Sequence, residues 1–257
     1  MSRVTVITGA SAGIGAAVAE LLGRRGERVV LLARREAALQ EVAARAGSEA
    51  LPLVVDVTRR AEVEDACKRA LDRFGQIDVW INNAGRGLSK NVSELTDEDI
   101  DEMITVNVKS VLYGIQAVLP HFKQRGRGQI INISSLLGRV PFAPFRSAYS
   151  ASKHALNALT ASLRMELIDQ PDIHICSVHP GVVATDFGLN ARHGGPDSRA
   201  LPGAQSVEEV AAVIVDVIDH PRADSYTRPD ARKMIADYFG AEDMGEVERQ
   251  ITMRRPR

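Results

Sequence analysis

Tyr149 and Lys153 stand four residues apart in the stretch Tyr149-Ser150-Ala151-Ser152-Lys153. The surrounding run, 147–168, predicts a helix, so both side chains share one face, a turn apart. A phenol is ordinarily a poor proton donor or acceptor near neutral pH, because its pKa is about 10. An ammonium beside it favours the phenolate and brings that value down. The pair is therefore a candidate general acid/base. A Tyr and a Lys at this spacing also occur on ordinary helices, as a packed ring and a solvated cation. What stands around the pair decides between the two.

A second chemistry opens the chain. Arg3 to Thr8 is β-branched and alternating, as a short buried strand should be, and Gly9, Gly13 and Gly15 lead into a helical run from Ile14 to Arg25. A strand, a glycine-rich turn and a helix make an anion site. Glycines let the backbone approach a phosphate, and the helix start supplies unpaired N–H groups and a positive dipole end. The spacing Gly-x-x-x-Gly-x-Gly differs from the more widespread Gly-x-Gly-x-x-Gly fingerprint. The next strand, Arg28 to Ala33, ends in Arg34-Arg35. In a dinucleotide fold an acid at this tip would take the ribose 2′-hydroxyl, and a base would pair with a 2′-phosphate. No Asp or Glu occupies the tip and Glu36 falls in the following helix, so NADP is expected in preference to NAD.

The elements that must position these groups alternate. Helices are predicted over 36–46 and 59–74, and strands over 50–55, closed by Asp56, and over 77–81, running into Asn82-Asn83-Ala84-Gly85. A helix over 97–124 starts at Thr96 with acids in its first turn, carries Asn107, and is expected to bend or divide at Pro120. Strands follow at 129–133, ending in Ser134-Ser135, and at 174–178, followed by His179-Pro180-Gly181-Val182-Val183-Ala184-Thr185. The segment 186–206 reads as a loop and, at that length, as a lid. A helix at 207–219, a short strand at 226–227 and helices at 231–239 and 246–253 complete the chain. Strand–helix units of about 30 residues give a parallel, doubly wound sheet. The expected organisation is a single domain over 1–257, with the lid and a C-terminal extension over about 230–257.

Composition narrows the partners. The net charge of −1 over 257 residues leaves no basic stretch before the end of the chain, so no nucleic-acid groove is expected. The basic run at the C-terminus, Met253-Arg254-Arg255-Pro256-Arg257, reads as a solvated tail. Cys67 and Cys176 have neither disulfide nor metal spacing, and both fall in apolar periodic segments. No metal site is expected, and His179 and His193 lack spaced partner ligands. There is no apolar run near 20 residues and no apolar leader, so no membrane span is expected and the cytoplasm is the expected compartment.

Together the motifs resemble the short-chain dehydrogenase/reductase family. The specific parts are Thr8-Gly9-Ala10-Ser11-Ala12-Gly13-Ile14-Gly15, Asn82-Asn83-Ala84-Gly85, Asn107, Ser135, Tyr149 with Lys153, and Pro180 to Thr185. The resemblance runs from Val4 to about Asp219 and implies a Rossmann-like sheet of about seven strands with helices on both faces. It implies that Tyr149 protonates a carbonyl oxygen as hydride arrives, or accepts the proton in reverse. Lys153 would lower the Tyr149 pKa and hold the nicotinamide ribose, and Ser135 would bind the substrate oxygen. Asn107 would hold a helix irregularity and a water linking Lys153 to solvent. Ser135 is preferred to Ser134 because Ser135-Leu136-Leu137-Gly138 carries the family's spacing to a glycine.

For the cofactor, the resemblance implies Gly9, Ser11, Gly13, Ile14 and Gly15 around the pyrophosphate and adjoining ribose. Asp56 and Val57 would meet the adenine, and Asn83, Ala84 and Gly85 the adenosine side. Pro180, Gly181, Val183 and Thr185 would lie toward the carboxamide end, and Arg34, helped by Arg35 and Ser11, would meet the 2′-phosphate. The implied activity is NADP-dependent interconversion of a small-molecule carbonyl compound and an alcohol, in a homodimer or homotetramer. Two other readings remain open: a non-catalytic dinucleotide-binding regulatory protein, and an epimerase or dehydratase using the same site.

Overall fold

The computed structural model describes residues 2–253. The basic run Arg254 to Arg257 lies outside the described residues. Seven parallel strands form one sheet in the order β3-β2-β1-β4-β5-β6-β7: β1 Val4–Thr8, β2 Arg28–Ala33, β3 Ala50–Val54, β4 Val79–Asn82, β5 Gly128–Ile133, β6 Ile173–His179 and β7 Asp224–Tyr226. The helices are α1 Gly13–Arg24, α2 Glu36–Ala46, α3 Arg60–Phe74, α4 Asp97–Ile104, α5 Ser110–Arg125, α6 Ser147–Glu166, α7 Val207–Asp219, α8 Ala231–Phe239 and α9 Met244–Met253.

The strands are apolar on both sides because both faces are covered. On one face Val29, Leu31 and Ile7 pack with α1, α2 and α7. On the other Val4, Val6, Val30 and Leu32 pack with α3, α5 and α6. Each fully buried Leu or Ile here contributes about 1.5–3 kcal/mol. The two cysteines are divided between the faces, Cys176 in the first layer and Cys67 in the second, and both are buried. Burial pushes the Cys67 thiol up to about 11 and the Cys176 thiol upward as well.

A buried polar chain crosses the second layer. Trp80 Nε1 donates to Asn82 Oδ1 at 2.8 Å, Asn82 Nδ2 to Asn132 Oδ1 at 2.9 Å, and Asn132 Nδ2 to Thr160 Oγ1 at 2.9 Å. It ties β4, β5 and α6 in one register, directly below the site.

The run 97–124 differs from expectation. It is interrupted not at Pro120, which sits inside a continuous α5, but at Thr105–Lys109, a single π turn between α4 and α5. Gln116, whose carbonyl loses its helical donor to the proline, is exposed, so water can replace that bond. In the π turn Ser110 N–H reaches back to the Thr105 carbonyl, and the Ser110 hydroxyl donates to the Val106 carbonyl at 2.6 Å.

Candidate active site

The order of connection reverses between β1 and β4, so their C-terminal ends diverge into loops and leave a crevice, the usual ligand position of such sheets. Thr8 closes its floor. Its hydroxyl accepts from the N–H groups of Asn83 and Ala84, each at 2.9 Å, while Asn83 Nδ2 donates to the Thr8 carbonyl at 2.9 Å. The backbones approach so closely that a β-carbon on Gly9 would lie 2.8 Å from Ala84 Cα, and one on Gly15 would lie 2.5 Å from the Gly9 carbonyl. Gly9 and Gly13 also hold positive φ, 68° and 57°.

The helix that starts here is left open. Helices α4 and α7 begin with complete capping boxes, at Thr96–Asp99 and Ser206–Glu209. Helix α1 has Ala12 at its N-cap, no side-chain cap and no acid in its first turn. Its first N–H groups and positive dipole end therefore face the crevice unanswered, which suits a phosphate.

Two adjoining clefts run from this point. One, of about 760 Å³, is lined by Ser11, Arg34, Arg35, Asp56, Val57 and Gly85 among others. The Asp56 carboxylate accepts from Thr58 N–H and Oγ1 at 3.0 and 2.8 Å. Burial alone would raise its pKa; the Thr58 bonds, Arg34 and Arg59 carry it below the ordinary carboxylate value. The Arg35 guanidinium, not that of Arg34, reaches over the glycine turn, donating to Ser11 Oγ at 3.2 Å. The other cleft, of about 690 Å³, brings together Gly13, Ile14, Asn83, Ser135, Tyr149, Lys153, Pro180, Gly181, Val183 and Thr185. Gly9, Ala84 and Gly85 belong to both. Gly15 and Asn107 line neither cleft: the first lies beneath the turn and the second behind Gly85.

The Tyr149 and Ser135 side chains meet in the wall of this second cleft, and Ser135 acts on the phenol. Ser135 rather than Ser134 acts on the phenol; the Ser134 hydroxyl is buried with no hydrogen-bond partner among the described residues. Burial raises the Tyr149 pKa, and Ser135 and Arg146 act against it. The Lys153 ammonium donates to the Ile133 carbonyl at 2.8 Å and lies 5.9 Å from the centre of the Tyr149 ring. Burial pushes Lys153 itself down to about 8. The phenol is thus protonated at neutral pH, set to give a proton rather than take one.

Asn107, in the π turn, is fully buried. Its amide Nδ2 donates to the Arg86 carbonyl and to Ser152 Oγ, both at 3.0 Å, and its Oδ1 accepts from Arg86 N–H at 2.9 Å. Gly85 leaves a gap beside it: a β-carbon there would lie 3.3 Å from Asn107 Oδ1 and 3.7 Å from Lys153 Nζ.

The segment 186–206 contributes Asp186, Phe187, Asn190, Ser198, Arg199 and Leu201 to the lining of the second cleft. It contains a 3₁₀ turn at Ser198–Ala200, and Phe187 packs edge-on against Tyr149 with ring centres 5.5 Å apart. Its middle is fastened to the start of α4. The buried Asp99 carboxylate takes Lys90 Nζ at 3.1 Å, His193 Nε2 at 2.7 Å and Arg192 Nε. Arg192 also meets Glu102 at 2.6 Å, and Glu102 meets Arg86 at 2.8 Å. Burial alone would raise the Asp99 pKa, but the bonds from His193, Lys90, the Thr96 backbone and Arg192 hold it far below the carboxylate range.

This hub, and Arg146 on the cleft wall, were not singled out from sequence. Arg146 stands three residues before Tyr149, a helical spacing that could have pointed to it; Asp99 and Arg192 are 93 residues apart and carry no such signal. His179 is structural. It is buried, bonds Asp224 at 3.0 Å and stacks on Tyr226. Among the described residues no group of three or more His, Cys, Asp or Glu is placed to hold a metal.

Comparison with known proteins gives a consistent picture. The family model described as short chain dehydrogenase matches residues 3–194. An uncharacterized oxidoreductase of Staphylococcus epidermidis is 38% identical over 192 residues, 72% of this chain and 83% of that protein. Among solved structures, an alcohol dehydrogenase of the archaeon Thermococcus sibiricus, complexed with 5-hydroxy-NADP, is 32% identical with a TM-score of 0.76, over 88% of this chain and 95% of that one. A short chain dehydrogenase/reductase of Burkholderia phymatum in complex with NAD has a TM-score of 0.85 at 25% identity, over 100% and 98% of the two chains.

Proposed function

This chain belongs to the short-chain dehydrogenase/reductase family, and from that premise we propose that it is an NADP-dependent oxidoreductase interconverting a carbonyl compound and an alcohol. The observation that carries the reading is the meeting of Tyr149, Ser135 and Lys153 in the wall of a cleft that begins at an uncapped helix start.

A dinucleotide fits the residues present. The Gly9–Gly15 turn and the α1 N–H groups would hold the pyrophosphate, Asp56 and Val57 the adenine, and Asn83 to Gly85 the adenosine side. Arg34 and Arg35, with Ser11, would hold a 2′-phosphate as charged donors to an anion. Pro180, Gly181, Val183 and Thr185 would orient the carboxamide end. When bound, the nicotinamide supplies the hydride.

The chain's own residues manage the proton. Ser135 and Tyr149 donate to the substrate carbonyl oxygen, where negative charge develops, from positions fixed beforehand by β5 and α6. Tyr149 gives up its proton there. The Lys153 ammonium then stabilises the phenolate one turn away. Asn107 Oδ1 and Lys153 Nζ border the gap beside Gly85, where a water would return the proton to Lys153 from solvent. The segment 186–206 acts as the lid, with Phe187 excluding water from Tyr149. In this reading residues 1–257 act as one domain.

We also read the exposed side of α6, with Ala151, Ala158, Leu159 and Met165, as the contact of a homodimer or homotetramer.

The test is fluorescence titration with NADPH and NADH, followed by NADPH oxidation across ketones and aldehydes. Tyr149→Phe is expected to bind cofactor as the wild type does and to lose turnover. Retained turnover in that variant would remove Tyr149 from its role.

A further inference from the structure

Resting on the carbonyl-reductase reading, we propose that the substrate carries a carboxylate and that Arg146 is the residue that recognises it. Arg146 is 7% exposed, yet it lines the second cleft beside Tyr149. A guanidinium offers five N–H donors. Its one hydrogen bond among the described residues is a long one, from Nη1 to the Leu88 carbonyl at 3.4 Å. No carboxylate among the described residues lies within ion-pair distance of it. The neighbouring cations differ. Arg199, on the same wall, meets Asp186 at 2.6 Å and Asp197 at 3.0 Å. Lys90 and Arg192 meet Asp99, and Arg86 meets Glu102.

A buried, unpaired charge is costly, and chains rarely retain one without a partner. Burial pushes the guanidinium below its ordinary value, and Tyr149 acts against that. The side chain is nonetheless held in place. Its Cζ lies 5.3 Å over the Phe145 ring, and the Gly87 and Gly195 backbones close around it. A β-carbon on Gly87 would come within 2.9 Å of Nη1, and one on Gly195 within 3.1 Å of Nη2. The planar fork is thus ordered in advance for a bidentate acceptor. Leu137, Phe142, Phe145 and Phe187 supply an apolar wall. The substrate class is an oxo acid, or the matching hydroxy acid, with an apolar body: the carbonyl at Tyr149 and the carboxylate at Arg146.

The experiment is calorimetric titration of the protein saturated with its preferred oxidised cofactor, at pH 7, with benzoylformate and with methyl benzoylformate. The wild type should bind the acid at least about tenfold more tightly than the ester, as expected for hydrogen bonds to a charged group. Arg146→Met should abolish that gap and leave ester binding unchanged, and Arg146→Lys should keep part of it. Melting curves of both variants check folding. Equal binding of acid and ester by the wild type, no binding of the acid, or equal weakening of both ligands in Arg146→Met overturns the proposal. Turnover of the ester, and its loss in Tyr149→Phe, tests the reductase reading separately, because the acid–ester gap is a binding measurement.

Discussion

Asn107 grips the backbone of a single residue, Arg86, from both sides: its Oδ1 accepts the Arg86 N–H at 2.9 Å and its Nδ2 donates to the Arg86 carbonyl at 3.0 Å. The π turn and the loop after β4 are thereby one unit, and Lys153 faces the gap between them. Asn107→Leu is expected to destabilise the fold by about 1–3 kcal/mol, because the Arg86 backbone groups lose buried partners. It should lower kcat more than cofactor affinity. Denaturant unfolding and steady-state kinetics of the variant check both; unchanged kcat would detach this unit from catalysis.

The buried Lys153 gives a signed pH dependence. Its folded pKa, about 8, is depressed from an ordinary 10.5. Its contribution to stability is therefore present above the ordinary value and lost as pH falls toward 8. Wild type should lose roughly 3 kcal/mol relative to Lys153→Met over that interval. Unfolding titrations from pH 8 to 10.5 measure the slope, and parallel curves would contradict it. In the wild type, carbonyl reduction should decline as pH rises through about 8, where the Lys153 charge is lost.

Arg35 lies over the glycine turn and Arg34 lines the same cleft. Arg35→Ala should weaken NADPH by about tenfold or more and NADH little, as expected when a charged donor to a 2′-phosphate is removed. Arg34→Ala should do so to a lesser degree. Fluorescence titration of each single variant and of the double variant decides the matter. Equal NADPH and NADH affinity in the wild type would mean that neither arginine selects the cofactor.

Asp99 fastens the proposed lid through Arg192 and His193 while capping α4. Asp99→Asn should lower the melting temperature and raise KM for substrate, since the lid loses its anchor. The sign with pH is fixed. A carboxylate held far below its ordinary value stabilises above pH 4 and loses that contribution as pH falls below it. Melting curves of wild type and variant should therefore approach each other in acid. A gap that does not change with pH would show that the hub's charge is not what stabilises it.

The strands and helices were legible because their apolar periods are strong, and because β1, the glycine turn and α1 are local in sequence. The candidate pair Tyr149 and Lys153 was legible for the same reason: the two share a helix face. The π turn was not. Nothing in Thr105-Val106-Asn107-Val108-Lys109 breaks a helical pattern, and the backbone partner of Asn107 in that turn, Arg86, stands 21 positions away. Pro120 drew attention as the evident breaker, yet α5 accommodates it. Spacing gives Tyr149 and Lys153 a shared face but not their depth: both are buried, and burial raises the phenol's pKa and lowers the ammonium's. Asp99, Arg192 and His193 meet only in three dimensions.

The division of the two cysteines between the layers has a practical consequence. Each thiol is buried and held protonated, so neither reacts while its layer stays closed. A thiolate forms only when that layer parts, and the rate at which each cysteine takes up a maleimide is a clock for its own face of the sheet. Two distinct rates would mean that the α1–α2–α7 face and the α3–α5–α6 face open separately. One common rate would mean that both sets of helices leave the sheet together.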